Sequence, residues 1–127
     1  MFKLFKKNEK HLFNQADLDN GLNWIVISYF ERMFEDGHFI YAIELLVDGS
    51  SLSTDGDYCS FGDMDSYYDE FHFNGVEFAT GYPPKEEDTV IVSKETCNFY
   101  IKLACVRYKK LEPDSTHKIN ELLERLK

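Results

Sequence analysis

From Leu18 to Met33 the apolar positions recur three and four residues apart. Leu22, Ile25, Val26, Tyr29, Phe30 and Met33 fall on one face, which predicts a helix. Asp17, Asp19 and Asn20 stand at its start as caps and as negative charge at the positive end of the helix dipole. Gly37, just after Glu35 and Asp36, is the expected stop. Ile40, Ile43, Leu46 and Val47 then predict a second, shorter helix ending before Gly49, so the two read as a helical hairpin. From Asp48 to Gly56 the composition is that of a loop, and order resumes at Tyr58. In Phe71-His72-Phe73-Asn74-Gly75-Val76-Glu77-Phe78 the Asn-Gly pair suits a two-residue type I′ turn. Phe73 would then face Val76 and Phe71 would face Phe78, with His72 opposite Glu77 on the other side. Gly81 to Pro84 breaks the sheet, and Thr89-Val90-Ile91-Val92 predicts a short apolar strand, buried on both faces or central.

Ser93 caps the next predicted helix. Its apolar arc, Phe99, Leu103 and Val106 together with Cys97, Tyr100, Ile101, Ala104, Cys105 and Tyr108, is wide enough to predict that the helix is largely buried. Pro113 and Asp114 reset the chain, and Ile119, Leu122, Leu123 and Leu126 predict a final amphipathic helix. The expected fold is α+β: an N-terminal helical hairpin, a small antiparallel sheet with an Asn-Gly hairpin, and two C-terminal helices. One domain is expected over residues 1–127, opened by a lysine-rich leader, 1–16, that carries Lys3, Lys6, Lys7 and Lys10. Phe2, Leu4, Phe5, Leu12 and Phe13 would let that leader lie weakly on a membrane, but a terminus that frays or docks on its own domain is the favoured reading.

No apolar run has the length of a signal peptide or a membrane span. Cys59, Cys97 and Cys105 are odd in number and form no C-x-x-C pair, as expected of buried thiols in a reducing, cytoplasmic setting. His11, His38, His72 and His117 lack ligand spacing, so neither zinc nor another cofactor is expected. Cys59 with His72 and an Asp could be drawn as a thiol triad, and Asp63 with Asp65 as a carboxylate pair, but no spacing enforces either geometry. There is no phosphate loop, G-x-S-x-G or H-E-x-x-H. The chain is expected not to be an enzyme.

Charge sharpens the picture through its distribution. The total is -9, from 23 acidic and 14 basic residues, which disfavours nucleic acid as a partner and favours a cationic one. Between Met33 and Pro84 there is no Lys or Arg at all, while that stretch holds eleven Asp and Glu residues. The alternative is that these acids disperse over several faces on folding. Asp55-Gly-Asp57 through Asp63-Met-Asp65 suggests a calcium loop, but neither start places Gly at the sixth position, so no metal site is expected. Phe61, Tyr67, Tyr68, Phe71 and Tyr82 interleave with the acids, a composition suited to gripping a basic protein. The candidate partner-binding residues are Asp55, Asp57, Asp63, Asp65, Tyr67, Tyr68, Asp69 and Glu70.

These segments resemble the CdiI family of ribonuclease toxin immunity proteins, the antitoxins of bacterial contact-dependent growth inhibition. The resemblance runs from about Trp24 onward, through Ser28-Tyr29-Phe30, Asp55-Gly-Asp57-Tyr58-Cys59-Ser-Phe61, Phe73-Asn-Gly75-Val76-Glu77-Phe78, Val90-Ile91-Val92-Ser93, Tyr100-Ile-Lys-Leu-Ala104-Cys105-Val-Arg-Tyr108 and the Pro-started last helix. It implies a cytoplasmic monomer that binds, one to one, the C-terminal ribonuclease domain of a CdiA-type toxin and blocks RNA cleavage. The acid distribution alone also admits an adaptor or DNA mimic directed at another basic protein.

Overall fold

Asn20 and Gly21 interrupt the apolar pattern, so the helix predicted from Leu18 is two helices. The computed structural model describes residues 10–126. Helix α1, Gln15–Asp19, is closed by a reciprocal box in which the Asn14 side chain accepts from the Asp17 amide and Asp17 accepts from the Asn14 amide. Helix α2, Trp24–Glu35, starts at Asn23, whose carboxamide oxygen accepts from the amides of Ile25 and Val26. The expected stop holds: Gly37 has φ +76°, and α3, Phe39–Val47, ends before Gly49 at φ +81°.

Three strands follow, β1 (Asp57–Phe61), β2 (Val76–Gly81) and β3 (Pro84–Val92), in an antiparallel meander of order β1-β2-β3. Helix α4, Lys94–Leu111, begins at Ser93, whose hydroxyl accepts from the Thr96 amide, and α5, Thr116–Glu124, follows a 3₁₀ turn at Pro113–Ser115. The α+β class stands.

The Asn-Gly hairpin does not. Val76 pairs with Phe61 and Phe78 with Cys59, so the partner of β2 is β1, on the far side of a long connection. Phe71 closes a 3₁₀ turn, Asp69–Phe71, instead of facing Phe78, and His72 does not pair with Glu77. Gly75 does take a positive φ, +105°, but residues 73–75 form a bend in place of the expected two-residue turn. The long-range register wins because Val76 and Phe78 must lie flush with Tyr29 and Phe30 of α2; the Phe78 ring sits 5.3 Å from Tyr29 and 6.2 Å from Phe30.

Two further expectations change. The break at Gly81–Pro84 is a turn joining β2 to β3, and β3 is an edge strand, with Ile91 48% exposed. Helix α4 buries only one face: Cys97, Tyr100, Ile101, Ala104 and Cys105 are in the core, whereas Phe99 and Val106 are exposed. Residues 1–9 of the leader lie outside the described residues; beyond them Leu12 and Phe13 are buried and join the core. They are pinned twice. The buried Glu31 carboxylate accepts from the amides of Leu12 (2.6 Å) and Phe13 (2.7 Å), and Arg107 donates to the Leu12 carbonyl while forking onto Asp17.

Candidate functional site

The connection between β1 and β2, residues 62–75, carries most of the predicted acids. It leaves and re-enters the sheet at one rung, where the Gly62 amide donates to the Gly75 carbonyl (2.9 Å). Both glycines are sterically required: a β-carbon on Gly62 would lie 1.9 Å from the Phe73 carbonyl oxygen, and one on Gly75 2.3 Å from that of Val92. Within the loop the Asp63 amide donates to the Phe71 carbonyl (2.7 Å), the Asp63 carboxylate accepts from the Asp65 amide (3.0 Å), and the Ser66 hydroxyl accepts from the Tyr68 amide (3.1 Å). His72 braces the centre through the Ser66 carbonyl, and its other nitrogen lies 3.5 Å from Asp69. Such side-chain to backbone bonds give a compact loop with closed ends its own internal structure.

This framework brings six of the eight candidates together. Asp63, Asp65, Asp69 and Glu70 are exposed and have no Lys or Arg ion partner among the described residues. Tyr67 is 91% exposed; its ring meets Tyr68 edge to face at 5.4 Å, and Tyr68 meets Phe71 at 6.5 Å. Two rigid phenols thus stand among four carboxylates that have no Lys or Arg partner among the described residues. Met64, 59% exposed in the same loop, was missed by the sequence reading; its position inside the acid run was the available signal.

Asp55 and Asp57 belong elsewhere, at the opposite end of β1, whose five residues span about 13 Å at strand rise. Asp57 must be removed from the partner-binding set: it is 5% exposed, accepts from the Ser28 hydroxyl (2.9 Å) and faces Arg32 at 3.7 Å. Burial pushes its carboxyl up to about 6, against the pull of Ser28 and Arg32. Asp55 remains exposed, and its carbonyl accepts from Arg32 and from the Tyr82 hydroxyl.

Folding also returns cations to the cation-free stretch. Arg32 pairs with Asp36, Lys118 with Glu44 and Arg125 with Asp48, so part of the acid run is neutralised; Glu35, Asp55 and Glu77, outside the loop, keep no Lys or Arg ion pair among the described residues, as do the four acids within it. The thiols are free and buried, and burial pushes Cys97 and Cys105 to about 12 and Cys59 higher still. Cys59 lies in the core while His72 is exposed in the loop, so the triad drawn from sequence has no common site. His11, Glu31 and Glu35 bring donor atoms within 4.8 Å of one another, a grouping that sequence spacing does not reveal. There Glu31 already serves as the pin for Leu12 and Phe13, with His11 3.2 Å from its second oxygen. Among the described residues no helix is long and apolar enough to cross a membrane.

A sequence model of the CDI immunity protein family matches residues 22–123. The fold is similar to the crystal structure of an immunity protein from Neisseria meningitidis MC58, with a TM-score of 0.72 and 15% identity over 93% of this chain and 98% of that one. At that identity the likeness is one of fold. No curated protein matches the sequence.

Proposed function

The chain belongs to the CDI immunity protein family, and from that premise we propose that it neutralises a ribonuclease toxin domain by presenting the 62–75 loop to the toxin's RNA-binding cleft. Membership establishes the immunity role and implies a cognate toxin as partner. The observation that supports the finer reading is the loop: four exposed carboxylates without a Lys or Arg partner among the described residues, interleaved with Tyr67 and Tyr68. A ribonuclease holds phosphates with lysines and arginines, and a carboxylate array competes for those groups. The tyrosines add rigid contact area at low conformational cost. On this reading the protein acts in the cytoplasm as a one-to-one inhibitor and performs no chemistry itself.

The test is to co-express the chain with the toxin domain encoded beside it, then to follow RNA cleavage by the purified domain as the chain is titrated in. Rescued growth, and cleavage abolished at one equivalent, are expected. A toxin domain that leaves RNA intact would refute the ribonuclease reading, and cleavage that continues at saturation would refute neutralisation by this chain. The adaptor or DNA-mimic alternative would instead be marked by indifference to that toxin and capture of nucleic-acid-binding proteins.

A further inference from the structure

The two edges of the sheet are finished differently. The outer edge of β1 is closed: the Ser51 and Ser53 hydroxyls donate to the Cys59 carbonyl (2.6 and 3.2 Å), the Cys59 amide donates to Ser53, and Thr54 and Asp57 exchange backbone bonds of 2.9 and 3.2 Å. Among the described residues the outer edge of β3 has no such cover. The bonds at Gly62/Gly75 and Gly56/Gly81 set which residues of β2 bond towards β1; the intervening Val76 and Phe78 then bond towards β3 through Val92 and Val90. Alternation leaves the N–H and C=O of Thr89 and Ile91 directed away from the sheet. No hydrogen bond to them from another segment is found among the described residues.

Natural edges are usually guarded by charge. Along β3 the guard is partial: Lys85, Glu86, Glu87 and Asp88 protect the first half, whereas Thr89 to Val92 carries none and Ile91 is exposed. This unguarded half also adjoins the acidic loop, since Gly75 at the loop's base lies against Val92 and shares a shallow groove with Ile91 and Ser93. The groups flanking the edge are Glu77, directly across from Ile91, and Glu86, Glu87 and Asp88, against Lys85 and Lys94 at the two ends.

We infer that Thr89–Val92 is a docking edge to which an extended segment of the toxin, rich in basic side chains, adds as a fourth strand. The inference rests on the immunity reading and extends it from the loop to a second, main-chain contact. Added strands gain affinity from backbone hydrogen bonds, and the flanking carboxylates select the sign of the side chains. The same carboxylates, and a net charge of -9 on each copy, oppose pairing with a second copy of this chain.

Amide exchange on the full chain, free and bound to the toxin domain, tests this directly, alongside Ile91→Pro and Ile91→Lys. Proline removes only the outward N–H at that position, and lysine supplies the missing guard without touching the backbone. Fast exchange at Thr89 and Ile91 in the free protein, protection in the complex, and about tenfold weaker binding by both variants are expected. Amides that stay fast in a fully formed complex would overturn the edge and leave the immunity reading intact. Protection that grows with concentration in the free protein would assign the edge to self-pairing and overturn the toxin strand. No complex with the toxin under any condition would overturn both.

Discussion

The amide of Gly62 donates to the carbonyl of Gly75, and that one rung holds both ends of the acidic loop at the edge of the core. Because a β-carbon on Gly62 would lie 1.9 Å from the Phe73 carbonyl oxygen, the loop's closed shape depends on that residue being glycine. Gly62→Ala is expected to lower stability by about 1–3 kcal/mol. It should also weaken toxin binding, as read by denaturant unfolding and by titration with the toxin domain. Unchanged values in both would show that the loop tolerates opening.

Reversing Asp65 and Glu70 to Lys should leave the thermal midpoint near that of the wild type, because neither carboxylate makes an ion pair or hydrogen bond among the described residues, whereas Asp63 accepts from the Asp65 amide and Asp69 faces His72. Association with the toxin should slow by about tenfold or more at low salt, with a flatter dependence on ionic strength. Stopped-flow association across a salt series measures this. Identical slopes for the two proteins would make these acids a solvated face.

Tyr67 offers most of its ring to solvent and is steadied by Tyr68. Tyr67→Ala should therefore cost binding without costing fold: about 2 kcal/mol, roughly thirtyfold in Kd, at unchanged melting temperature. Calorimetric titration checks it, and a wild-type Kd would place the contact elsewhere.

Asp57 makes a prediction about pH. Its carboxyl is raised from 3.8 to about 6, so between those values the folded chain holds a proton that the unfolded chain has released. Stability from this group therefore falls as pH rises from about 4 to 6 and is level above, by on the order of 3 kcal/mol. Asp57→Asn keeps an acceptor for Ser28 and should lose that slope. Urea unfolding of both proteins across the interval gives the difference directly, and parallel curves would contradict the assignment.

Glu31 separates charge from shape. Burial raises its carboxyl, while what the fold needs from it is an oxygen for the Leu12 and Phe13 amides. Glu31→Gln retains that oxygen and is expected to melt at or above the wild type at neutral pH. Glu31→Ala leaves two buried amides without an acceptor and should lose about 2 kcal/mol. If the glutamine variant fell as far as the alanine one, the negative charge itself would be required.

The features legible in sequence were those set within a few residues. Ser93 was readable as a cap because its hydroxyl reaches the Thr96 amide, and Gly37 as a stop because left-handed backbone ends a helix locally. The acid run with its tyrosines was readable because the loop that carries it is continuous in the chain. Pairing was not. Asn74-Gly75 looked like a turn between neighbours, yet the strand reached back across the loop to Cys59 and Phe61, where the shared face with Tyr29 and Phe30 could be buried.

Composition and short-range pattern thus determined the helices, their ends, the α+β class and the acidic, aromatic segment, since each depends on neighbouring backbone and side chains. Only the tertiary structure decided that Asp57 turns inward to Ser28, that Lys118 and Arg125 neutralise Glu44 and Asp48, and that β3 lies at an open edge. Those outcomes follow from which surfaces must be buried together. That requirement joins residues far apart in the chain and has no signature at any one of them.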